Sequence, residues 1–439
     1  GGQEGELRFL NIKTDVPEDL SRAFRAGAQS MPRARLGDGS WQLEDDRLAA
    51  LRAKIKAGRK TLGEVYGAPL YGIKTGLNVA FVVSRERRDE LVARDARSAE
   101  LLVPFLRGEN IKRWRVESED LFLINIPKGK SLSRKLAPNR SPHPEEPRSG
   151  VSKGAGASVA TGGASFETPT SWAPQDEDKA LEARSKFRID DFPAIRDHLL
   201  PFKDKLEARA TKQEWFELQQ AQLAYQPIMK KRKLIWPHFQ ATASFCMDDT
   251  SVYLNNKAFF ISDPPFEELG FLNSKPAWFL LAHLARIKRG GYLEAEAQYV
   301  EQLPSISNEE AKRARLGEFA EQANSKAMGR NRVIDNVLRR IPDLCPPDRT
   351  PKLTTRLQEW WKLDFKSFQA AIKKAFKTDI PLKQRHEWEN FLRDEGEKVR
   401  RLTAEIEQAE RESDAIVFKL FDLTPDEIAL LESSLAGQY

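Results

Sequence analysis

The chain has 439 residues, and its 71 Lys and Arg against 65 Asp and Glu give a net charge of +6 and a pI near 9.0. A hydrophobic content of 40% and a charged content of 31% are typical of a soluble globular protein, and the length predicts two or three domains. No apolar run approaches the roughly 20 residues of a membrane span, and we expect no membrane partner. Two cysteines cannot form a disulfide framework, so we expect a cytoplasmic protein. The mild cationic excess permits a polyanionic partner.

The first part of the chain, residues 1–45, is polar with scattered Gly, Pro and Arg, and indicates a linker from an upstream module. The sequence begins without an initiator methionine or a secretory leader, so we expect it to be part of a longer protein. Over Gln42–Lys56, four aliphatic residues at helical spacing predict a first helix.

Runs of β-branched and aromatic residues predict several strands between residues 46 and 305. They are APLYGIKTGLNVAFVVS, as a strand, a Gly-containing turn and a second strand; DLFLINI; KLIWPHFQATASFCMDD; and SVYLNNKAFFIS, with a hairpin turn at Asn255-Asn256. Residues 138–177 interrupt them, and their richness in Pro, Gly, Ser and Ala predicts a disordered insertion. This stretch resembles translated repeat elements of bacterial genomes; a functional lid is the alternative.

Residues 306–439 are charged and predict helices. From Leu392 to Leu423 apolar positions step alternately by three and four, with polar breaks at Glu395 and Ser413, which favours a helical hairpin or coiled coil. The expected fold is therefore α/β: an irregular mixed-sheet domain at 46–305, followed by a helical C-terminal domain with a coiled-coil-like hairpin.

The stretch TPDEIALLESSL restarts a helix near the end of the chain. We predict Thr424 as its N-cap, Pro425 at its first position and Glu427 closing a capping box.

A catalytic centre is not recognisable in the sequence. A nucleotide cofactor needs a Gly-rich turn between a strand and a helix, and a metal-dependent nuclease needs an Asp followed by Glu-x-Lys on a strand; neither pattern occurs. The five histidines are scattered without metal-ligand spacing, and no nucleophile elbow is present. We therefore expect no catalytic residues, no cofactor and no metal in this chain.

Basic residues interleaved with aromatic and amide residues indicate a DNA-binding surface, because cations neutralise phosphates while planar and amide groups meet base edges. The alternative for such runs is a solvated face. The candidates are Arg107, Lys112, Arg113 and Trp114 in RGENIKRWRV, and Lys230, Lys231, Arg232, Lys233, Trp236, His238 and Gln240 in MKKRKLIWPHFQ.

Two further places hold candidates for contacts with DNA. In the Gly-rich turn they are Lys74, Thr75 and Asn78; the alternative is that Gly72 and Gly76 shape a turn that Asn78 caps. In LGFLNSK the apolar residues indicate packing, and Lys275 is a candidate phosphate contact.

The motifs LYGIKTGLNVAFVV and SAELLVPFLRGENIKRWRVESEDLFLINIP together resemble the target-recognition region of type IIG restriction-modification enzymes and related adenine-specific DNA methyltransferases, a TaqI-like specificity domain. Further motifs are similar to the same family in the same order: FPAIRDHLLPFKDKLEAR, WFEL, KLIWPHF, LGFLNSK, YVEQLPS and ESDAIVFKLFDLTPDEIALLE. The resemblance covers residues 42–137, 178–306 and 405–432.

This resemblance implies an upstream methyltransferase module or subunit that binds S-adenosylmethionine and flips an adenine out of the duplex. The chain would then be the specificity part, with double-stranded DNA as its partner and no catalysis of its own. A coiled-coil assembly subunit is one alternative.

A self-sufficient methyltransferase is the other alternative, because Asp263-Pro264-Pro265-Phe266 resembles the base-gripping tetrapeptide of amino-group DNA methyltransferases. Without a cofactor site beside it, we interpret this tetrapeptide as a strand terminator, since proline cannot donate a ladder hydrogen bond.

Overall fold

The computed structural model describes residues 5–10, 17–33, 46–117, 119–127, 187–306 and 310–437. The predicted insertion at 138–177 lies outside these ranges. Within them, every helix is too short or too polar to cross a lipid bilayer.

The stretch predicted as a linker contains a small unit of its own. Two strands pair antiparallel, with Glu6 opposite Pro32, and a helix lies between them. Asp19 caps this helix by accepting the backbone N–H of Arg22. The elements are β1 (Glu6–Phe9), α1 (Leu20–Gly27) and β2 (Gln29–Pro32).

Short helices and strands alternate over residues 46–127. The predicted first helix is present as α2, and the predicted strand DLFLINI as β8. Where strand, turn and strand are predicted after Ala68, the second strand starts only at Val82, because the N–H groups of Ala80 and Phe81 bond to the carbonyl of Leu77 and form a helical turn. The elements are α2 (Asp46–Lys56), α3 (Leu62–Tyr66), β3 (Leu70–Tyr71), α4 (Asn78–Phe81), β4 (Val82–Ser84), α5 (Arg85–Arg94), β5 (Leu102–Leu106), β6 (Ile111–Lys112), β7 (Arg115–Val116) and β8 (Leu121–Ile124).

Most of the remaining strands lie between residues 233 and 294. The elements of this part are α6 (Pro193–Leu199), α7 (Lys203–Glu207), α8 (Gln226–Met229), β9 (Lys233–Pro237), β10 (Phe239–Gln240), β11 (Cys246–Asp248), β12 (Tyr253–Leu254), β13 (Ala258–Ser262), α9 (Phe266–Leu272), α10 (Lys275–Leu284), β14 (Arg286–Ile287), β15 (Leu293–Glu294) and α11 (Ala297–Val300).

Two four-stranded sheets form the frame, in the orders β11-β9-β13-β3 and β12-β5-β8-β4. The predicted hairpin at Asn255-Asn256 is wrong, because β12 pairs in parallel with β5 whereas β13 pairs with β9. The Asn255 side chain fixes this crossing between sheets: its Oδ1 accepts the N–H groups of Gly108 at 2.9 Å and Lys257 at 3.1 Å.

The described residues after Glu310 are helical. The Lys326–Glu405 ion pair and the Arg330–Thr403 hydrogen bond show that the two long helices run antiparallel, with residues 341–384 between them instead of a short turn. The elements are α12 (Glu310–Arg340), α13 (Thr355–Gln358), α14 (Phe365–Phe376), α15 (Arg385–Leu420) and α16 (Pro425–Ala436).

Both sequence patterns in this helical region have structural counterparts. All ten predicted seam positions from Leu392 to Leu423 are buried or half-buried. The capping box of α16 is confirmed: the Glu427 N–H donates to Thr424 Oγ1 at 3.3 Å, and the Thr424 N–H donates to Glu427 Oε2 at 2.7 Å. The supercoiling of the long helices stays a prediction.

Three hydrophobic cores hold these elements. The first contains Trp236, Phe271 and Leu316 and draws on residues from Leu51 to Leu431, so it spans the predicted boundary at residue 305. The second lies around the β12-β5-β8-β4 sheet, and the third joins α14 to the ends of the long helices. The predicted α/β class with a helical C-terminal region is confirmed, while the domain boundaries stay predictions.

Candidate nucleic-acid interface

Close approach of neighbouring atoms explains the glycines of the Gly-rich turn. A Cβ on Gly72 would lie 2.2 Å from the carbonyl oxygen of Asn255, and one on Gly76 would lie 2.7 Å from Arg209 Cδ. Gly76 also has a φ of +83°, which disfavours any side chain. These two positions therefore require glycine for the turn to pack.

The three candidate residues of this turn have different environments. Lys74 and Asn78 are exposed, whereas Thr75 is buried and donates its hydroxyl to Asn78 Oδ1 at 2.6 Å. The N-cap of α4 is Leu77, and the Asn78 side chain bonds within the Gly-rich turn through Thr75. Lys74 and Asn78 are placed where a ligand can reach them.

Arg209 stabilises the Gly-rich turn by hydrogen bonds to backbone carbonyls. It is not among the residues predicted from the sequence. Its Nη1 donates to the carbonyls of Thr75 at 3.1 Å and Glu217 at 2.8 Å, and Nη2 donates to Trp215 at 3.0 Å. This use of the planar guanidinium fork is structural. The sequence LEAR gives no signal for this role of Arg209, because its partners are backbone carbonyls, which every residue has.

The cations of RGENIKRWRV are all neutralised by carboxylates. Arg107 pairs with Glu109 at 3.0 Å, Lys112 with Glu117 at 3.8 Å, and Arg115 with Glu117 at 2.5 Å. This segment is therefore far less cationic in the structure than its four basic residues indicate.

Trp114 and Arg113 attach the same segment to α15. The Arg113 Nε and the Trp114 Nε1 both lie 2.5 Å from Glu410 Oε1, and the Trp114 N–H donates to the carbonyl of Phe245. Trp114 is buried and has a φ of +65°. Its ring is part of the core and is not available for stacking on a base.

The residues of MKKRKLIWPHFQ are divided between the two ends of β9. Lys230 and Lys231 are exposed before the strand, and His238 follows it, about 20 Å away by the rise of an extended chain. Lys233 is fully buried and pairs with Asp248 at 2.5 Å. This sequence cluster therefore does not form one surface.

Two further members of this cluster also have structural roles. Trp236 is buried and donates its Nε1–H to the carbonyl of Ala295 at 3.0 Å. Gln240 is buried and its Oε1 accepts the Ser244 N–H at 2.8 Å. Both side chains fix the loops that surround the end of β9.

The tetrapeptide at 263–266 connects a strand to a helix. Strand β13 ends at Ser262 and α9 begins at Phe266, as expected for a strand terminator. Arg232 binds this turn, because its Nη2 donates to the carbonyl of Pro264 at 2.6 Å and its Nε lies 3.4 Å from Asp263 Oδ1. The carboxylate and the carbonyl that would grip a base are engaged by Arg232.

Lys275, at the start of α10, is exposed but tied to the C-terminal helices. Its Nζ donates to Glu432 Oε1 at 2.6 Å, and its backbone N–H donates to Asp414 Oδ1 at 2.8 Å. Lys275 and Arg113 also line a cavity of about 420 Å³ beside Trp278.

An exposed cationic hairpin joins β14 to β15 and is not among the residues predicted from the sequence. Arg286, Lys288 and Arg289 are all exposed. Gly290 and Gly291 have φ values of +88° and +78° and close the loop. The signal in RIKRGGY is three cations within four residues, followed by Gly-Gly and an aromatic residue.

The register of this small sheet places planar groups together. Phe239 pairs with Glu294, and Glu294 pairs with Arg286, so the three side chains lie on the same face of β10-β15-β14. Phe239 is 43% exposed and Tyr292 is 47% exposed. We call the exposed set the cationic face, and its members are Phe239, Lys257, Arg286, Lys288, Arg289 and Tyr292.

A charge network lies under the cationic face. His238 Nε2 is 3.4 Å from a carboxylate oxygen of Glu294 and of Glu296, and His238 Nδ1 is 3.2 Å from Lys257 Nζ. Lys288 Nζ lies 3.0 Å from Glu294 Oε2. Burial, then the Lys257 ammonium, lowers the pKa of His238, and the hydrogen bond from Lys288 lowers the pKa of Glu294.

The ligand atoms of His238, Glu294 and Glu296 lie within 4.8 Å of one another, so their geometry could hold a metal ion. A metal-bound imidazole normally donates its second N–H to an acceptor. Here the second nitrogen faces the ammonium of Lys257, which is a donor, and Lys288 already engages Glu294. The cluster fits a network that positions the two lysines of the cationic face better than it fits a metal site.

The chain was compared with protein families, with curated proteins and with solved structures. A family described as a domain of unknown function, DUF8810, matches residues 309–417. No curated protein matches the chain.

Among solved structures, the chain is similar to the type IIL restriction-modification enzyme MmeI in complex with DNA, at 11% identity and a TM-score of 0.34, over 80% of this chain and 37% of that one. It is also similar to the type IIG restriction endonuclease BpuSI, at 9% identity and a TM-score of 0.35, over 91% of this chain and 36% of that one. The chain spans just over a third of the length of either enzyme.

Proposed function

We propose that the chain binds double-stranded DNA and reads its sequence as the specificity part of a restriction-modification enzyme. The cationic face is the observation that carries this proposal. It combines exposed cations with exposed planar side chains, which is the chemistry that phosphates and base edges require.

The side chains of the cationic face can contact DNA in two ways, at its phosphates and at its base edges. Lys257 and Arg289 neutralise phosphates, which gives affinity without sequence information, and Lys288 neutralises Glu294 beneath them. Arg286 and Phe239 lie on one face of the sheet, where a guanidinium can donate to a guanine edge and a ring can contact a thymine methyl group.

The face is built on a frame with little freedom to move. The His238 N–H donates to the carbonyl of Lys257 at 2.9 Å, and the Ala295 N–H donates to the carbonyl of His238 at 2.7 Å. A Cβ on Gly108 would lie only 2.1 Å from the same Lys257 carbonyl. These contacts fix the backbone from which the side chain of Lys257 extends.

The catalytic part of the parent enzyme belongs to a module outside this chain. In this proposal, that module binds S-adenosylmethionine and methylates the N6 of a flipped adenine. The support is the order of the sequence motifs and the engagement of Asp263 and Pro264 by Arg232.

A selection from a random duplex pool tests the proposal. The chain should enrich one sequence motif, and its affinity should fall steeply with salt. The variant Lys288→Gln/Arg289→Gln should bind about tenfold more weakly, since Arg289 loses a phosphate contact and Glu294 is left as an unpaired carboxylate beside the DNA.

The matched control for this variant is Lys112→Gln/Arg115→Gln, which removes the same charge from two cations that pair with Glu117. This control should bind duplex DNA as the unmodified chain does. A pool without enrichment, or equal affinity of the hairpin variant and the unmodified chain, would refute the proposal.

A further inference from the structure

The cationic excess of the chain is concentrated in one short segment. Residues 349–385 contain ten Lys and Arg against three Asp and Glu, whereas the rest of the chain contains 61 against 62. The segment lies between the two long helices α12 and α15 and within the stretch that matches the family of unknown function. We call it the basic segment.

A hydrophobic core packs the basic segment against the two long helices. Phe368, Ile372 and Phe376 of α14 are buried against Trp360 and Val399. This core also includes Val337 of α12. By the helical rise, Val337 lies about 30 Å along α12 from Leu316, which packs in the first core. The basic segment therefore lies at the end of α12 that is distant from Leu316.

The three acids of the basic segment bond to other residues of the same segment. Glu359 pairs with Lys362 at 2.6 Å, and Asp364 caps α14 by accepting the Ser367 N–H at 2.7 Å. Asp379 accepts hydrogen bonds from Gln369, Ile380 and Arg385.

Three exposed lysines form a row along α14 and its C-terminal end. Lys366 and Lys373 are seven residues apart and lie on one side of the helix, and Lys377 follows as the C-cap residue. None of the ion pairs between described residues involves them. By the helical rise Lys366 and Lys373 are about 10 Å apart, which is about three base-pair steps of 3.4 Å along the axis of a duplex.

We infer that the basic segment is a second DNA-binding surface, which contacts the phosphates of duplex DNA without reading sequence. The inference rests on the proposed function and adds a partner surface to it. Lys366, Lys373 and Lys377 follow one strand of the duplex outside the part read by the cationic face. The row gives affinity and footprint length, and the cationic face gives specificity.

The test compares Lys366→Gln/Lys373→Gln/Lys377→Gln with the unmodified chain on random-sequence duplexes of increasing length. The matched control, Lys205→Gln/Lys212→Gln/Lys419→Gln, removes three exposed charges elsewhere. For the row variant, the slope of log affinity against log salt should fall by about 2.7, at 0.9 for each lost phosphate contact. Affinity for cognate and random duplexes should fall by the same factor, and lengthening the duplex should help the unmodified chain more than the variant.

Three other outcomes would contradict either the second DNA-binding surface or the proposed function. A row variant with the salt slope and length dependence of the unmodified chain overturns the second surface, even if the Lys288→Gln/Arg289→Gln variant has lost DNA binding. Unchanged DNA binding with reduced binding to polyglutamate also overturns it and assigns the row to an acidic protein. An unmodified chain that binds no duplex at all refutes the proposed function itself.

Discussion

Two segments of this chain have nearly the same ingredients and opposite structures. RGENIKRWRV and RIKRGGY each combine closely spaced cations with one aromatic residue. In the first, the cations are paired with carboxylates and Trp114 is buried. In the second, the cations are exposed around two glycines and Tyr292 is 47% exposed.

The difference comes from the acids near each segment. Glu109 and Glu117 lie two residues from Arg107 and Arg115, respectively, and Glu410 comes from the distant helix α15. The hairpin between β14 and β15 contains no acid, and Glu294 beneath it engages Lys288 alone among the hairpin cations. A basic cluster indicates a ligand surface only after its acidic neighbours have been counted.

The largest expected effect concerns the buried cation Lys233. Replacing it with Ala leaves Asp248 charged and buried without its partner, so we expect the free energy of unfolding to fall by about 3–5 kcal/mol. Urea unfolding measures the change. The exposed neighbour Lys231→Ala is the control and should change stability by less than about 0.5 kcal/mol. Equal changes in the free energy of unfolding for the two substitutions would show that the burial of Lys233 does not make it more important for stability than Lys231.

Glu268 is a buried carboxyl that has neutral groups as contacts, whereas Asp248 has Lys233. Burial raises the pKa of Glu268 to about 7, despite hydrogen bonds from Ser305, Ile306 and Tyr66. The folded state therefore binds its proton more tightly than the unfolded chain does. The resulting stability is present below pH 4.5 and is lost as the pH rises towards 7, by on the order of 3 kcal/mol.

The variant Glu268→Gln tests this pH dependence. Its free energy of unfolding should fall less than that of the unmodified chain between pH 5 and pH 8. Chemical denaturation at several pH values gives the difference, so that contributions of other titrating groups cancel. Parallel pH profiles of the two proteins would place the pKa of Glu268 near its ordinary value.

Local signals in the sequence predicted much of the fold. The capping box of α16 depends on Thr424 and Glu427 three positions apart, and the end of β13 depends on two prolines, so both were predictable. The partner of a strand is a long-range choice. Asn255 therefore looked like part of a hairpin turn, although its side chain joins two sheets.

The site was less predictable than the fold for the same reason. The burial of Lys233 depends on Asp248 on a neighbouring strand, and that of Trp114 on Glu410 almost 300 residues away. The hairpin cations Lys288 and Arg289 lie next to Gly-Gly and were visible in the sequence. Counting acids within three residues of each cluster would have ranked this hairpin above RGENIKRWRV.

The role of Trp114 as an anchor gives the next prediction. Trp114→Phe removes the Nε1–H that bonds to Glu410 but keeps an aromatic ring in the core, so we expect a loss of about 1–3 kcal/mol in stability. Duplex affinity of the folded protein should stay within about twofold. Thermal unfolding and DNA titration measure the two quantities. A large loss of DNA affinity at full folding would restore Trp114 as a ligand contact.

The smallest expected effect comes from removing a carboxylate that pairs with the cations of RGENIKRWRV. Glu117→Gln removes the carboxylate that pairs with Arg115 and Lys112, and the loss of such half-exposed pairs should cost less than about 1 kcal/mol. The two released cations should raise affinity for random duplexes by roughly twofold to threefold and steepen its salt dependence.

The control for this exchange is Glu100→Gln, which removes one exposed carboxylate elsewhere. It changes the net charge equally, so a gain shared by both variants would reflect net charge alone. A gain confined to Glu117→Gln would show that the two basic segments differ in their acids and not in their cations. That result would make pairing, rather than basic composition, the property that distinguishes the cationic face from the segment that holds Trp114.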